Sequence, residues 1–412
     1  MSLNTKRWLI LAAGFLANMC QGIAYATSVF MVPVMTNFKI SPENKAQATI
    51  VFSLIIACLP IGAIIGGLIS GKKGPKLSIG IGSIIFATGL ILASFAVKSL
   101  NLNMLYLTFG VMLGIGSGMA YGSIIGVVAQ WFPDKRGLAT GLVVAALGGG
   151  PIILAPLAEW LLKTYALAGT YLIFGIAFAI VMIIAAFIVS TPPTGYKPDG
   201  FEPKTPAGNK STKDFNAIEM LKTPSFWTLF FLYVSGAFSG LMIISQAKGI
   251  TLDVITKSNF AQGDYAAQLA VTGVMILAIA NAFGRMFWGA ISDKTGRIPV
   301  LIIMFALNCT IMAFLNIISF NFYAFMISML VIGLCFGGYL GLFPSLCADF
   351  FGAKNITLNY GILFAAFAVA GVAGPMAGAS LTPAVNAYYT AAILSLVGLA
   401  TTIALSRKLK SQ

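Results

Sequence analysis

Histidine is absent from the chain and charge is scarce: 25 Lys and Arg against 11 Asp and Glu, together 9% of residues. A soluble domain carries roughly a quarter charged residues. Without histidine, the usual proton relay and the usual neutral metal ligand are missing. The five cysteines (Cys20, Cys58, Cys309, Cys335 and Cys347) fall inside apolar stretches, so no loop pair is available for a disulfide and the redox compartment is not indicated. No G-x-x-x-x-G-K-S/T phosphate loop occurs, which leaves ATP-driven transport unsupported. With no buried acid pair and no metal-ligand cluster either, an intramembrane enzyme has no chemistry to draw on. No cofactor and no metal are expected.

What the chain has instead is apolar length. Hydrophobic residues make up 58% of it. They gather into twelve runs, at 8–35, 47–70, 77–97, 103–130, 137–163, 168–190, 225–247, 266–291, 298–319, 321–347, 357–381 and 385–406. Each is about 20 residues or longer, enough to cross roughly 30 Å of hydrocarbon as a helix. Backbone groups in lipid must pair internally, and continuous apolar runs without alternation select helices over a closed barrel. The first run follows "MSLNTKRW" and is too long for a signal-peptide core, so it is expected to be retained as a membrane helix.

The net charge of +14 follows the loops. Eighteen Lys and Arg fall at the two termini and in the even-to-odd loops, six on the opposite side, and one, Arg285, inside a run. The asymmetry puts both termini in the cytoplasm, as in a bacterial inner membrane, and supports an even number of spans. The basic excess is therefore topology, and a nucleic-acid partner is not expected. The longest polar segment, 191–224, is rich in Pro, Gly and Lys and reads as a cytoplasmic linker, with an amphipathic turn or two at 214–221. It divides the chain into an N-terminal six-helix half, 1–190, and a C-terminal six-helix half, 225–412. The halves repeat weakly: "GGLISGKKGPK" follows span 2 and "WGAISDKTGR" follows span 8, with Gly67 and Gly289 offset by 222 residues. "QWFPDKRGLATG" after span 4 and "ADFFGAKNITLNYG" after span 10 recur at a similar offset. Internal repeats in a twelve-span protein are a transporter signature.

Arg285 lies eight residues before Asp293, so about 12 Å along a helix from the cytoplasmic edge. Arginine near the midplane costs about 2.5–3.5 kcal/mol on insertion scales. Its i−4 neighbour is Asn281 and its i+4 neighbour is Gly289. No acid stands at mid-depth in any run. Glu159 is near the outer end of span 5, where it can pair with Lys163 at i+4. An anionic ligand could supply the counter-charge, since the guanidinium fork matches a carboxylate. Snorkelling or hydrogen bonds to helix carbonyls are the alternative. Lys248, near the outer end of span 7, is the only other candidate cation, and reads as an interfacial lysine. Gly110, Gly114, Gly118, Gly122 and Gly126 give span 4 a smooth face for close packing or sliding. Gly148, Gly149, Gly150 and Pro151, and again Gly374 and Pro375, mark bends.

The pattern Gly289, Asp293, Lys294, Gly296 and Arg297 resembles the cytoplasmic signature of the major facilitator superfamily. The resemblance implies gating by Asp293, Lys294 and Arg297. The N-terminal copy departs from the signature, with Gly71 where an acid is usual. "WFPDKRGLATG" and "DFNAIEMLKTPSFW" resemble the oxalate:formate antiporter branch, which is close to the monocarboxylate transporters. In those branches an arginine at the place of Arg285 binds the substrate carboxylate, with Asn281 one turn away on the same face. Animal monocarboxylate transporters usually carry an acid there, and Asn281 can instead serve an interhelical hydrogen bond. Tyr25, Tyr121, Phe336 and Tyr339 fall where the resembling transporters line the cavity, though each can equally be packing. Phe367 stands where the oxalate transporter has a lysine, and Leu147 and Leu340 also make the site less polar.

The expectation is an all-α membrane protein of twelve helices in the major facilitator fold, monomeric in the bilayer. It would be a secondary transporter binding a small organic monocarboxylate of the lactate, pyruvate and formate class through Arg285, with Phe367 in the pocket. The co-substrate would be a proton or an exchanged anion. An oxalate or other dicarboxylate exchanger, and a flux-free membrane sensor, are the rivals.

Overall fold

The computed structural model describes residues 2–134, 136–193, 196, 198, 214–352, 356–381 and 384–410. Among them every regular element is helical. Eleven continuous apolar helices are long enough to cross a membrane. They are α1 (Leu3–Asn37), α2 (Pro42–Lys73), α3 (Pro75–Lys98), α4 (Leu102–Trp131), a double-length stretch Ala139–Ile188, α7 (Pro224–Lys257), α8 (Gly263–Thr295), α9 (Arg297–Ile318), α10 (Phe322–Phe351), α11 (Asn359–Ser380) and α12 (Ala384–Lys410). The stretch of 50 residues would reach about 75 Å if straight, more than two bilayer cores. It contains a non-helical residue, Ala166, with φ 53° and ψ −175°. It is therefore two spans, α5 (139–165) and α6 (167–188). With it the count becomes twelve, in two halves of six.

The turns explain why the helices stop where they do. On the face opposite the termini, single non-glycine residues with positive φ follow α1, α3, α5 and α7: Lys39, Leu100, Ala166 and Asn259. On the terminal face the breakers are glycines. Gly74 after α2 and Gly296 after α8 adopt nearly the same conformation, φ 88° and ψ 157° against φ 91° and ψ 155°. They stand 222 residues apart, the offset at which the two halves repeat. Only glycine enters that region without a steric penalty.

Large apolar side chains such as Phe187, Ile317, Tyr323 and Ile327 cover the outer surface, which suits lipid and not water. Inside the N-terminal half, Phe30, Phe109 and Tyr171 join α1, α4 and α6, with ring centroids 4.6–6.0 Å apart. In the C-terminal half, Asn308 of α9 donates to Ser239 of α7 at 2.5 Å and to Ser395 of α12 at 3.2 Å. The regular glycines of α4 pack on α2: an added Cβ at Gly114 would lie 2.8 Å from the Cβ of Cys58, whereas at Gly126 it would meet open space. Before α7, a short helix, Ala217–Leu221, is closed by a capping box between Asn216 and Glu219. Phe215 tethers it, its N–H donating to the Phe351 carbonyl and its carbonyl accepting from Asn359 Nδ2, both at 3.0 Å.

The halves meet along α5 against α8, α2 against α11 and α1 against α7. Glu159 differs from its expected pairing. Its carboxylate holds Lys248 of α7 in an ion pair across the two halves, while Lys163 is exposed. Helical spacing favoured Lys163, but Lys248 faces Glu159 in a partly buried seam, where an opposite charge is worth more.

Candidate functional site

Arg285 stands ten residues before Thr295, the end of α8, so about 15 Å inside that end. It is 6% exposed. The Nη1 donates to the Val144 carbonyl of α5 at 2.8 Å, and Nε reaches Asn281 Oδ1 at 3.4 Å. The Nη2 is buried with no acceptor. Among the described residues no carboxylate pairs with it. The arginine thus ties one half to the other through a neutral carbonyl and keeps a spare donor.

The local sequence builds this contact. A Cβ at Gly148 would lie 2.9 Å from Asn281 Nδ2 and 3.0 Å from Arg285 Nη2, so a larger residue would push the pair away. The carbonyl of Val143 accepts from Asn18 Nδ2 of α1 at 3.0 Å, next to the one that takes Arg285. Asn18 continues into a buried chain: Gln21 Nε2 donates to Asn18 Oδ1 at 3.0 Å and Ser117 Oγ to Gln21 Oε1 at 2.8 Å. α5 is clamped on one side by α1 and on the other by α8. Opposite it, α8 packs against α10 through small residues: a Cβ at Gly341 would sit 2.8 Å from the Arg285 carbonyl.

Most of the aromatic residues named from the sequence come together here. Tyr25 lies in a short 3₁₀ stretch, Gly22–Ala26, that interrupts α1. Tyr25 and Tyr121 both stand near Arg285, but among the described residues neither hydroxyl is hydrogen-bonded to its guanidinium. The Tyr25 ring meets Phe336 of α10 edge-on, centroids 6.1 Å apart. Phe336 faces Phe367 at 6.2 Å, and Phe367 stacks on Phe364 at 5.0 Å. Tyr339 is different. Its ring packs on Phe305 of α9 at 5.2 Å and against Gly236 of α7, inside the C-terminal half. Two residues not anticipated join the group: Tyr233 of α7 and Tyr360 of α11, hydroxyls 3.3 Å apart. Tyr233 lies near Tyr25 and Tyr121, and Tyr360 near Tyr121 and Arg285. The available signal was a tyrosine in each of two apolar runs, and spacing alone does not say which face they take.

A narrow cleft lies between the halves on the side of Arg285 away from the termini, lined by Tyr25, Gly148, Pro151, Ile244, Leu277 and Asn281. Farther out, Lys45 Nζ donates to Gln246 Oε1 at 3.1 Å, a second link between the halves beside Glu159–Lys248. Toward the termini, Arg297 binds Asp349 at 3.1 Å and Ser292 at 2.8 Å, and Lys294 is exposed. The side chain of Asp293 lies outside the described residues. On the other half Arg7 pairs with Asp134 at 3.1 Å.

The comparisons with known proteins agree with this architecture. The family model described as Major Facilitator Superfamily matches residues 14–256 and again 249–411. The oxalate:formate antiporter of Oxalobacter formigenes is 30% identical over 382 residues, 91% of this chain and 85% of that one. Monocarboxylate transporter 12 of Xenopus laevis is 24% identical over 415 residues, 94% of this chain and 85% of that one. Among solved structures, a bacterial homologue of the human lysosomal transporter Spinster, in an inward-facing and unoccupied conformation, superposes with a TM-score of 0.68 at 17% identity, over 98% of this chain and 97% of that one. Two copies of one six-helix unit, joined at a buried arginine and matched by the family model along nearly the whole chain, are those of a member of the major facilitator superfamily.

Proposed function

We propose that the protein is a secondary transporter of small organic monocarboxylates, with the carboxylate held by Arg285 at the seam of the two halves. The observation that carries this reading is the buried Nη2 of Arg285, a charged donor without a protein acceptor. A carboxylate would take that donor and balance the charge, replacing a neutral carbonyl with a charge-assisted pair. Asn281, Tyr25 and Tyr121 orient it, and Phe336 and Phe367 exclude water.

Because Arg285 bonds to α5 as well as α8, substrate that takes over its donors loosens the tie between halves. Rocking of one half against the other then exposes the site alternately. The links at Glu159–Lys248 and Lys45–Gln246 close the face away from the termini. Asp293, Lys294 and Arg297 serve closure of the terminal face, which the positive-inside asymmetry assigns to the cytoplasm of a bacterial inner membrane.

The relative named oxalate:formate antiporter supports a second reading, exchange of a dicarboxylate. Two features weigh against it. Phe367 is apolar where a second cation would be needed, and Lys248, the other candidate, is already held by Glu159. A second carboxylate would be buried without a partner. Counterflow in proteoliposomes separates the two: labelled lactate is expected to exchange and labelled oxalate to exchange far more slowly. Faster oxalate than lactate would favour the dicarboxylate exchanger.

A further inference from the structure

Behind the contact between Arg285 and α5 runs a line of buried hydrogen bonds that ends one residue away from it. Ser117 Oγ of α4 donates to Gln21 Oε1 at 2.8 Å, Gln21 Nε2 to Asn18 Oδ1 at 3.0 Å, and Asn18 Nδ2 to the Val143 carbonyl at 3.0 Å. The next carbonyl, that of Val144, takes Arg285 Nη1 at 2.8 Å. Asn18, Gln21 and Ser117 are all fully buried. The last acceptor dictates the direction of the whole line. A carbonyl only accepts, so Asn18 must turn its NH₂ to Val143 and its oxygen to Gln21. That oxygen in turn requires the Gln21 NH₂, which leaves Gln21 Oε1 to accept from the Ser117 hydroxyl. Neither amide can flip without setting two oxygens against each other.

The line joins three helices of the N-terminal half that surround the arginine's contact. α1 carries Gln21 and, four residues on, Tyr25, which lines the cleft. α4 carries Ser117 and, one turn on along the same face, Tyr121. α5 carries Val143 and Val144. α1 and α5 also cross backbone to backbone, since an added Cβ at Gly22 would lie 2.7 Å from the Gly150 Cα. Apolar side chains could fill this seam without burying two amides. Hydrophobic contact is non-directional, however, whereas a hydrogen bond fixes an angle. Direction matters here, because turning α5 by one residue would swing the Val144 carbonyl about 100° away from the other half.

We infer that Asn18, Gln21 and Ser117 are positioning residues for the Arg285 tie. They fix the rotation of α5 so that the Val144 carbonyl faces the other half, and so set how firmly the face away from the termini is held closed before substrate arrives. This rests on the reading that the Arg285 contact restrains the two halves, and not on what Arg285 binds.

The test is the rate of maleimide labelling of a cysteine placed at Met31, which shares a cleft with Ser245 of the other half, on purified full-length protein with no carboxylate present. Asn18→Leu and Gln21→Leu keep side-chain bulk but break the line, and Ser117→Ala removes its first donor. Each leucine variant is expected to label about fivefold faster than the parent, the effect of one lost hydrogen bond, with Ser117→Ala between. In an Arg285→Ala background, itself faster than the parent, the same changes are expected to add less than about 1.5-fold, because the tie they act through is already gone. A role in packing alone would give the same acceleration with and without the arginine. Labelling at the parent rate in all three variants, or equal acceleration in the two backgrounds, overturns the inference. If Gln21→Leu does not fold, the other two variants decide. If none of the three folds, the line serves the fold and not the tie, and the inference falls. Arg285→Ala that labels no faster than the parent removes the tie and the inference with it, whereas carboxylate binding by Arg285 is decided separately, by lactate displacement.

Discussion

A buried guanidinium has five N–H donors to satisfy, and at Arg285 the protein supplies a carbonyl and an amide oxygen, leaving Nη2 unused. Lysine in this place would keep the charge but lose the fork that engages both carboxylate oxygens. Arg285→Lys is therefore expected to insert normally and to bind lactate at least about tenfold more weakly, measured by displacement on purified protein. Gly148 tests the position of the same group. A methyl there would stand 2.9 Å from Asn281 and 3.0 Å from Arg285, so Gly148→Ala should raise KM for uptake roughly tenfold while leaving thermal stability near wild type. A normal KM would mean that the arginine's position is not set by α5. Arg285 and Asn281 were legible as residues because polar groups inside an apolar run stand out and their spacing puts them on one helical face. The acceptor, the carbonyl of Val144, was not, since any backbone can accept and only the packing of α5 on α8 chooses which.

At the scale of elements, the pair Glu159–Lys248 links α5 to α7, with both side chains 16% exposed. Removing one partner leaves the other charge in a partly dry seam, which costs more than removing both. Glu159→Gln or Lys248→Met alone should loosen the closed face and speed thiol labelling of a cysteine placed at Met31, which lines the neighbouring cleft. The double variant should label more slowly than either single one. Identical labelling in all of them and in the unmodified background would show that the pair does not hold the halves together. This link was hidden in the sequence for a physical reason. Glu159 and Lys163 have the spacing of a helical ion pair, and the competing partner comes from a helix 89 residues away. Spans 5 and 6 illustrate the converse. The sequence marks two runs, and one non-helical residue between them, Ala166 with φ 53°, makes the reversal. Hydrophobic length reported the crossing more faithfully than the continuity of the helix.

Across the whole molecule, two six-helix units meet at a seam that is bridged by a cation in the middle and by polar links toward one face. If a single carboxylate on Arg285 releases that central bridge, substrate and conformation are coupled through one residue. The chain has no histidine, and among the described residues no acid pairs with Arg285; if uptake is coupled to protons, they travel with the substrate acid. Net lactate uptake should then alkalinise the medium, whereas exchange should leave its pH steady and depend on internal anion, which a pH electrode in a proteoliposome suspension distinguishes. The repeat was legible at this scale because loop glycines such as Gly74 and Gly296 must be glycine to turn the chain with φ near 90°. The site was legible only in part. Tyr339 looks like a cavity residue by its place in α10 but packs on Phe305, and Tyr233 and Tyr360 meet only when α7 and α11 are brought together. The most direct test of the central claim is labelled-lactate binding to purified Arg285→Ala beside the wild type, with folding of both followed by thermal denaturation. Saturable binding to the wild type that disappears in a folded Arg285→Ala is the predicted result, and binding of equal affinity to both would contradict it.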